Sequence, residues 1–171
     1  EPAVTELPHC LRVSPDGKFW YVCYTNGNYV QKFDASSDTL VGEVNIGAGS
    51  WNILKISPDS KHAYVSDYSG NGKLVEIDLA NMSIRKTLFS PGLFEYPHGI
   101  AYSQTQDTVY VTAQYGNMIY RVIPSIPKVD KISIQKGALP GTTQQWLDPH
   151  EIMMSRDYSG DFIPCLASTE L

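Results

Sequence analysis

Four serines in this chain are each followed seven residues later by an aromatic residue: Ser14 by Tyr21, Ser57 by Tyr64, Ser103 by Tyr110 and Ser155 by Phe162. The serines lie 43, 46 and 52 residues apart, an interval that suits a four-stranded sheet repeated about an axis better than any helical repeat. In the same register stand Pro8-His9, Trp51-Asn52, Pro97-His98 and Pro149-His150, with the His or Asn five residues before each serine. Three histidines and one asparagine therefore share a single structural address.

The second repeat reads most clearly. The run from Trp51 to Ser57 is mostly apolar and of strand length, as an inner strand buried between neighbouring sheets should be. Pro58-Asp59-Ser60-Lys61 supplies a turn, in which Pro fixes φ and Asp hydrogen-bonds its own backbone. Further strands are expected from His62 to Asp67, Lys73 to Asp78 and Ile84 to Phe89, and no segment sustains the three-and-four spacing of a helix. The expected fold is all-β: a β-propeller built from four-stranded antiparallel blades. The blades fall at about 8–46, 51–89, 97–135 and 149–171, the last incomplete, which makes roughly 3.5 to 4 blades of a seven-bladed ring. Pro164 would remove a ladder donor, so the strand that holds it is expected at an edge or a bulge.

Rings close with about four to eight blades, so the rest of the propeller is expected in sequence outside these 171 residues, and any export signal with it. No apolar run approaches the ~18 residues of a membrane-spanning helix. With 13 basic against 18 acidic residues, the net charge of −5 argues against nucleic acid as a partner, since backbone phosphates demand a basic surface. The tyrosines are expected mainly as sheet-packing residues. Cys10, Cys23 and Cys165 lack CxxC and CxxCH spacing, so no haem attachment site is present. If Ser14 pairs with Phe19 across its turn, Cys10 falls opposite Cys23. A cross-strand disulfide is conceivable there, but two small buried residues facing each other is the favoured reading, given the geometry that a bond requires.

Tyr21-Val22-Cys23-Tyr24, Tyr64-Val65-Ser66-Asp67 and Tyr110-Val111-Thr112-Ala113, together with the Ser14-Pro15-Asp16-Gly17-Lys18 turn, resemble the YVTN-type β-propeller repeat and its YncE-like group. The resemblance covers roughly residues 8–171, although no copy carries the full Tyr-Val-Thr-Asn string. The Trp-Asp dipeptides and Gly-His starts of the Trp-Asp repeat family are absent. The resemblance implies a fold and a periplasmic, cell-envelope or extracellular setting, but no single activity.

In such a propeller the starts of the inner strands share a face with the turns between second and third strands. That face would collect His9, Asn52, His98 and His150 near the axis, with Tyr24, Tyr68 and Tyr115 around them. The longer repeats insert residues on the same side, at 90–96 and 136–147. The second stretch carries Trp146 and reads either as a binding loop or as a plain surface insertion. The resulting reading is a scaffold-like binding module without a cofactor, docking a ligand or protein partner on this face.

Two enzymatic readings stand beside it. The histidine arrangement resembles that of nitrous oxide reductase, whose inner-strand histidines converge on a copper cluster. That likeness would make His9, His98 and His150 ligands of copper or another transition metal, although Asn52 interrupts the series and no histidine is doubled. A lactonase-like hydrolase would draw on Asp67, Glu95, Asp148 and Glu151. Glu151 adjoins His150, but neighbours in a strand point to opposite faces. No GxSxG elbow, phosphate loop or His-Glu-x-x-His motif is present.

Overall fold

The computed structural model describes residues 7–88, 94–103, 107–115, 118–126, 128–134, 149–154 and 161–162. Blade one is a sheet of β1 (Pro8–Val13), β2 (Phe19–Tyr24), β3 (Tyr29–Asp34) and β4 (Leu40–Asn45). Blade two holds β5 (Trp51–Ile56), β6 (His62–Asp67), β7 (Leu74–Asp78) and β8 (Ser83–Leu88). Blade three holds β9 (Pro97–Tyr102), β10 (Val109–Ala113), β11 (Met118–Ile123) and β12 (Lys128–Ser133). Every pairing is antiparallel between consecutive strands. A fourth sheet consists of β13 (Met153–Met154) paired with β14 (Asp161–Phe162), and no helix occurs among the described residues.

The recurring serine closes the turn between the first two strands of each blade. Ser14 Oγ donates to Asp16 Oδ1 at 2.6 Å and accepts the Phe19 amide at 3.1 Å, while Asp16 accepts the Lys18 amide. Ser57, Asp59 and His62 repeat the arrangement, as do Ser103, Asp107 and Thr108, where the aspartate comes later in a turn of the same length. Gly17 occupies the left-handed region at φ 71°, where a missing Cβ removes the steric cost.

The same turn fixes the register. Cys10 stands opposite Cys23, and both are free, buried thiols. Each acts on the other: the nearby Cys23 draws the Cys10 thiol down, and the nearby Cys10, with burial, pushes the Cys23 thiol up. Cys165 lies outside the described residues.

Three apolar clusters fill the seams. The first, between blades one and two, includes Tyr21, Val30, Trp51 and Leu54; the second, between blades two and three, includes Leu74, Phe94, Val111 and Tyr120. A small third cluster joins Ala101 and Ile119 of blade three to Ile152. Polar ties cross the same seams at one repeating position. Cys23 Sγ donates to Trp51 O at 3.4 Å, Ser66 Oγ to His98 O at 3.0 Å and Thr112 Oγ1 to His150 O at 2.9 Å. Gly99 allows the last seam to close, because a Cβ there would lie 2.7 Å from Glu151 Cα and from the Ile152 nitrogen.

Blade one differs from its neighbours on one face. Leu54 and Ile56 of β5 are 0% and 6% exposed against blade one, whereas Leu11 and Val13, at the same places in β1, are 52% and 57% exposed. A sheet face of this kind drives association. Residues 1–171 expressed alone are expected to self-associate in sedimentation velocity, and replacing Leu11 and Val13 together by Lys to restore the monomer. A monomeric wild-type chain would contradict this reading.

Candidate functional site

The starts of the inner strands lie together because the seams hold adjacent blades in register. His9 is exposed and its Nδ1 lies 2.7 Å from Asn52 O; His98 is 3% exposed and its Nδ1 lies 3.0 Å from His150 O. In both cases the imidazole of one blade donates to the backbone of the next. A carbonyl cannot donate, so each bond places the proton on Nδ1 and leaves Nε2 with a lone pair. Asn52 is buried and its Oδ1 lies 3.4 Å from the Ser50 hydroxyl.

The densest part of the rim belongs to the junction of blades two, three and four. The His98 and His150 rings lie 3.8 Å apart between centroids, and Tyr68 meets His98 edge-on at 5.6 Å. Tyr68 also contacts Tyr96 at 5.4 Å and Tyr115 at 6.1 Å, and Tyr96 meets Tyr115 edge-on at 4.6 Å. Such edge-to-face pairs are favoured by the ring quadrupole. Tyr115, at 47% exposure, presents its ring outward. Tyr24, by contrast, is buried and donates its hydroxyl to Gln31 within blade one. Trp146 and Asp148 lie outside the described residues.

Tyr96 is the rim residue that sequence reasoning missed, having counted it with the inserted loop. Its φ of 49° is unusual for a bulky side chain and costs of order 1–3 kcal/mol, which neighbouring bonds must offset. The Tyr96 amide donates to Ser69 O at 2.9 Å and its carbonyl accepts from Gln114 at 3.0 Å. The only sequence signal is an aromatic residue two places before His98.

The acids divide sharply. Asp67 is buried and structural: it accepts the Ser50 amide at 2.8 Å and the Ser69 hydroxyl at 3.4 Å, with Lys73 at 4.0 Å. Glu95 is held by its backbone, whose amide donates to Tyr120 Oη. Glu151 does join the rim, with Oε1 3.8 Å from His98 Nδ1, and the ligating atoms of His98, His150 and Glu151 all lie within 4.8 Å of one another. The expected divergence of His150 and Glu151 does not arise, because residues 150–152 are outside any strand and the alternation of a pleat does not apply.

His98 is held neutral. Burial lowers its pKa from 6.5 to about 4, helped by the fields of His150 and His9 and opposed by the bond to the His150 carbonyl. Between those two values the unfolded chain takes up a proton that the folded chain refuses, so stability falls as pH drops through this window. The loss is on the order of 3 kcal/mol. Urea unfolding at pH 7 and pH 4.5, with EDTA present, should show it, and His98→Asn, which copies the residue at position 52, should flatten the difference.

No family model matches this sequence, and no curated protein matches it. Solved structures do. The hydrazine synthase of Kuenenia stuttgartiensis superposes with a TM-score of 0.71 at 20% identity, covering 88% of this chain and 39% of that one. The WD40 repeats of RRP9 give a TM-score of 0.65 at 14% identity over 75% of this chain and 39% of theirs. U3-55K gives 0.65 at 15% over 75% of this chain and 40% of its own. Identities this low speak for fold alone. The chain has a β-propeller fold, with three four-stranded blades and a further pair of strands among the described residues, and spans about two-fifths of each of these three structures.

Proposed function

We propose that this chain is the interaction module of a YVTN-type, YncE-like propeller in an exported setting, and that the histidine and tyrosine rim docks a ligand or protein partner. The observation that carries the reading is the cluster of Tyr68, Tyr96 and Tyr115 against His98, built on rigid strands and opening outward through Tyr115. Aromatic residues on a preorganised surface supply large contact area at low entropic cost, which is why tyrosine is enriched at binding hot spots. Of the acids that a hydrolase would draw on, Glu151 stands at this rim, whereas Asp67 is absorbed in the loop it braces.

A second reading has its own support. Two imidazoles and one carboxylate suit a first-row transition ion, and copper remains among the candidates. His98, His150 and Glu151 would hold it, with His9 outside this close set. The bond from His98 Nδ1 to a carbonyl is the outer-shell contact that orients a ligating imidazole through Nε2. A bound ion would supply Lewis acidity or redox chemistry there. The residues themselves orient the donors and keep His98 deprotonated.

Two measurements test these readings. Partners captured from the native host by crosslinking should be retained by the wild type and lost about tenfold or more on Tyr115→Ala, while Ser83→Ala on the outer strand leaves capture unchanged. Equal loss in both variants would remove the rim from the account. For the ion, elemental analysis after reloading should give about one equivalent per chain, and His98→Asn should abolish it; less than about one-third of an equivalent ends the metal reading.

A further inference from the structure

At the other end of the strands, away from His9, His98 and His150, blades two and three leave a cleft of about 310 Å³ that His62 also lines. Its walls include Asp59, Tyr64, Glu76 and Arg85 of blade two and Tyr102 and Pro124 of blade three. Tyr102 is 7% exposed, and among the described residues its hydroxyl is buried with no hydrogen-bond partner. An orphaned hydroxyl is costly, so its retention beside a cavity calls for an explanation.

The preceding seam supplies an internal comparison, because the repeat places each wall residue in register with a counterpart. Tyr21 pairs with Lys32 in blade one as Tyr64 pairs with Glu76 in blade two. In the first seam the Lys32 ammonium donates to Leu79 O at 2.8 Å and sits 4.0 Å over the Phe19 ring. The inner-strand residue facing it is Ile56, which packs in the same cluster as Tyr21. That seam is closed by its own cation.

In the second seam the corresponding residues are changed together. His62 stands in place of Phe19, Glu76 in place of Lys32 and Tyr102 in place of Ile56. Pro124 follows β11 as Leu79 follows β7, so its carbonyl is the counterpart acceptor; Lys86 Nζ of the outer strand donates to it through a long bond of 3.5 Å. Arg85 is committed to Glu76 at 2.6 Å. Asp59 and Asp107 add two further carboxylates to the walls, so acids outnumber the guanidinium. The Tyr102 phenol is pushed well above its ordinary range by burial and then by Tyr64, Glu76 and Asp59, which shows the sign of the field that the hydroxyl feels.

We propose that this cleft binds a primary alkylammonium group, which takes the place that the Lys32 side chain fills in the preceding seam. The ammonium donates to the Pro124 carbonyl, to the acidic wall and to the Tyr102 hydroxyl, which gains a partner. The chemistry is the same whether the amine is a free small molecule or a lysine side chain of a protein. The site is separate from the histidine rim and stands or falls without it.

Ligand-observed NMR on the full chain tests this with n-pentylamine, cadaverine and Nα-acetyl-lysine methylamide, against n-pentanol as the neutral counterpart. Saturation transfer to the amines but not to pentanol is expected. Tyr102→Phe keeps the ring and should weaken amine binding about tenfold while leaving the fold intact. Glu76→Lys with Arg85→Val rebuilds the first seam's chemistry and should abolish binding by filling the cleft from within. Preference for cadaverine identifies a free amine as the source, and preference for the lysine amide a protein side chain. Equal binding of pentanol and pentylamine, unchanged affinity in both variants, or no transfer to any amine at about 20 mM overturns the proposal.

Discussion

The contact on which the rest of the molecule depends is a single side-chain donor near the end of each second strand, reaching across to the inner strand of the following blade. Cys23, Ser66 and Thr112 fill that position in turn. Each adds a directional bond to a backbone carbonyl at the seam, where polar groups must be paired; the His150 carbonyl also accepts from the Gly99 amide and from His98 Nδ1. Because the acceptor sits beside the start of the next inner strand, the tie sets the height of one blade against another. Apolar burial along the seams supplies most of the cohesion, but it is indifferent to sliding; the directional bond is not.

That constraint gives the rim histidines two tasks. Through Nδ1 His9 and His98 extend the ties between blades, which leaves Nε2 for the second task, the one proposed for them. His98 shows why the tasks are compatible: burial keeps it uncharged, so no ion pair with Glu151 is needed at neutral pH to hold the ring in place. The neutral imidazole is at once a good backbone clasp and a good ligand.

Much of the architecture was legible in the sequence, because the periodicity of a repeat is a chemical signal. The serine recurs since its hydroxyl accepts one amide and donates to one aspartate in each of the three described turns, and the resulting register correctly set Cys10 against Cys23. The convergence of His98, His150, Tyr68 and Tyr115 followed from the same periodicity. What escaped was irregular or comparative. Tyr96 enters the rim through a left-handed backbone conformation that no pattern announces, and Glu151 turns beside His150 because the strand expected there is not formed. Tyr24 stands level with Asp67 and Ala113 rather than with Tyr68, and bonds inward to Gln31. The cleft at Tyr102 was invisible for another reason: it depends on residues 26 positions apart in sequence and on what their counterparts do one blade earlier.

The Lys32 ammonium has a wider consequence. A circular array of similar units is usually thought to offer one shared surface around its axis, but here each boundary between units carries its own contents, closed by a cation in one case and open in the next. Since neighbouring boundaries share a scaffold and differ in a few side chains, each can be rewritten without disturbing the others. Such an architecture can accumulate separate recognition tasks around its circumference while its central surface stays committed to another.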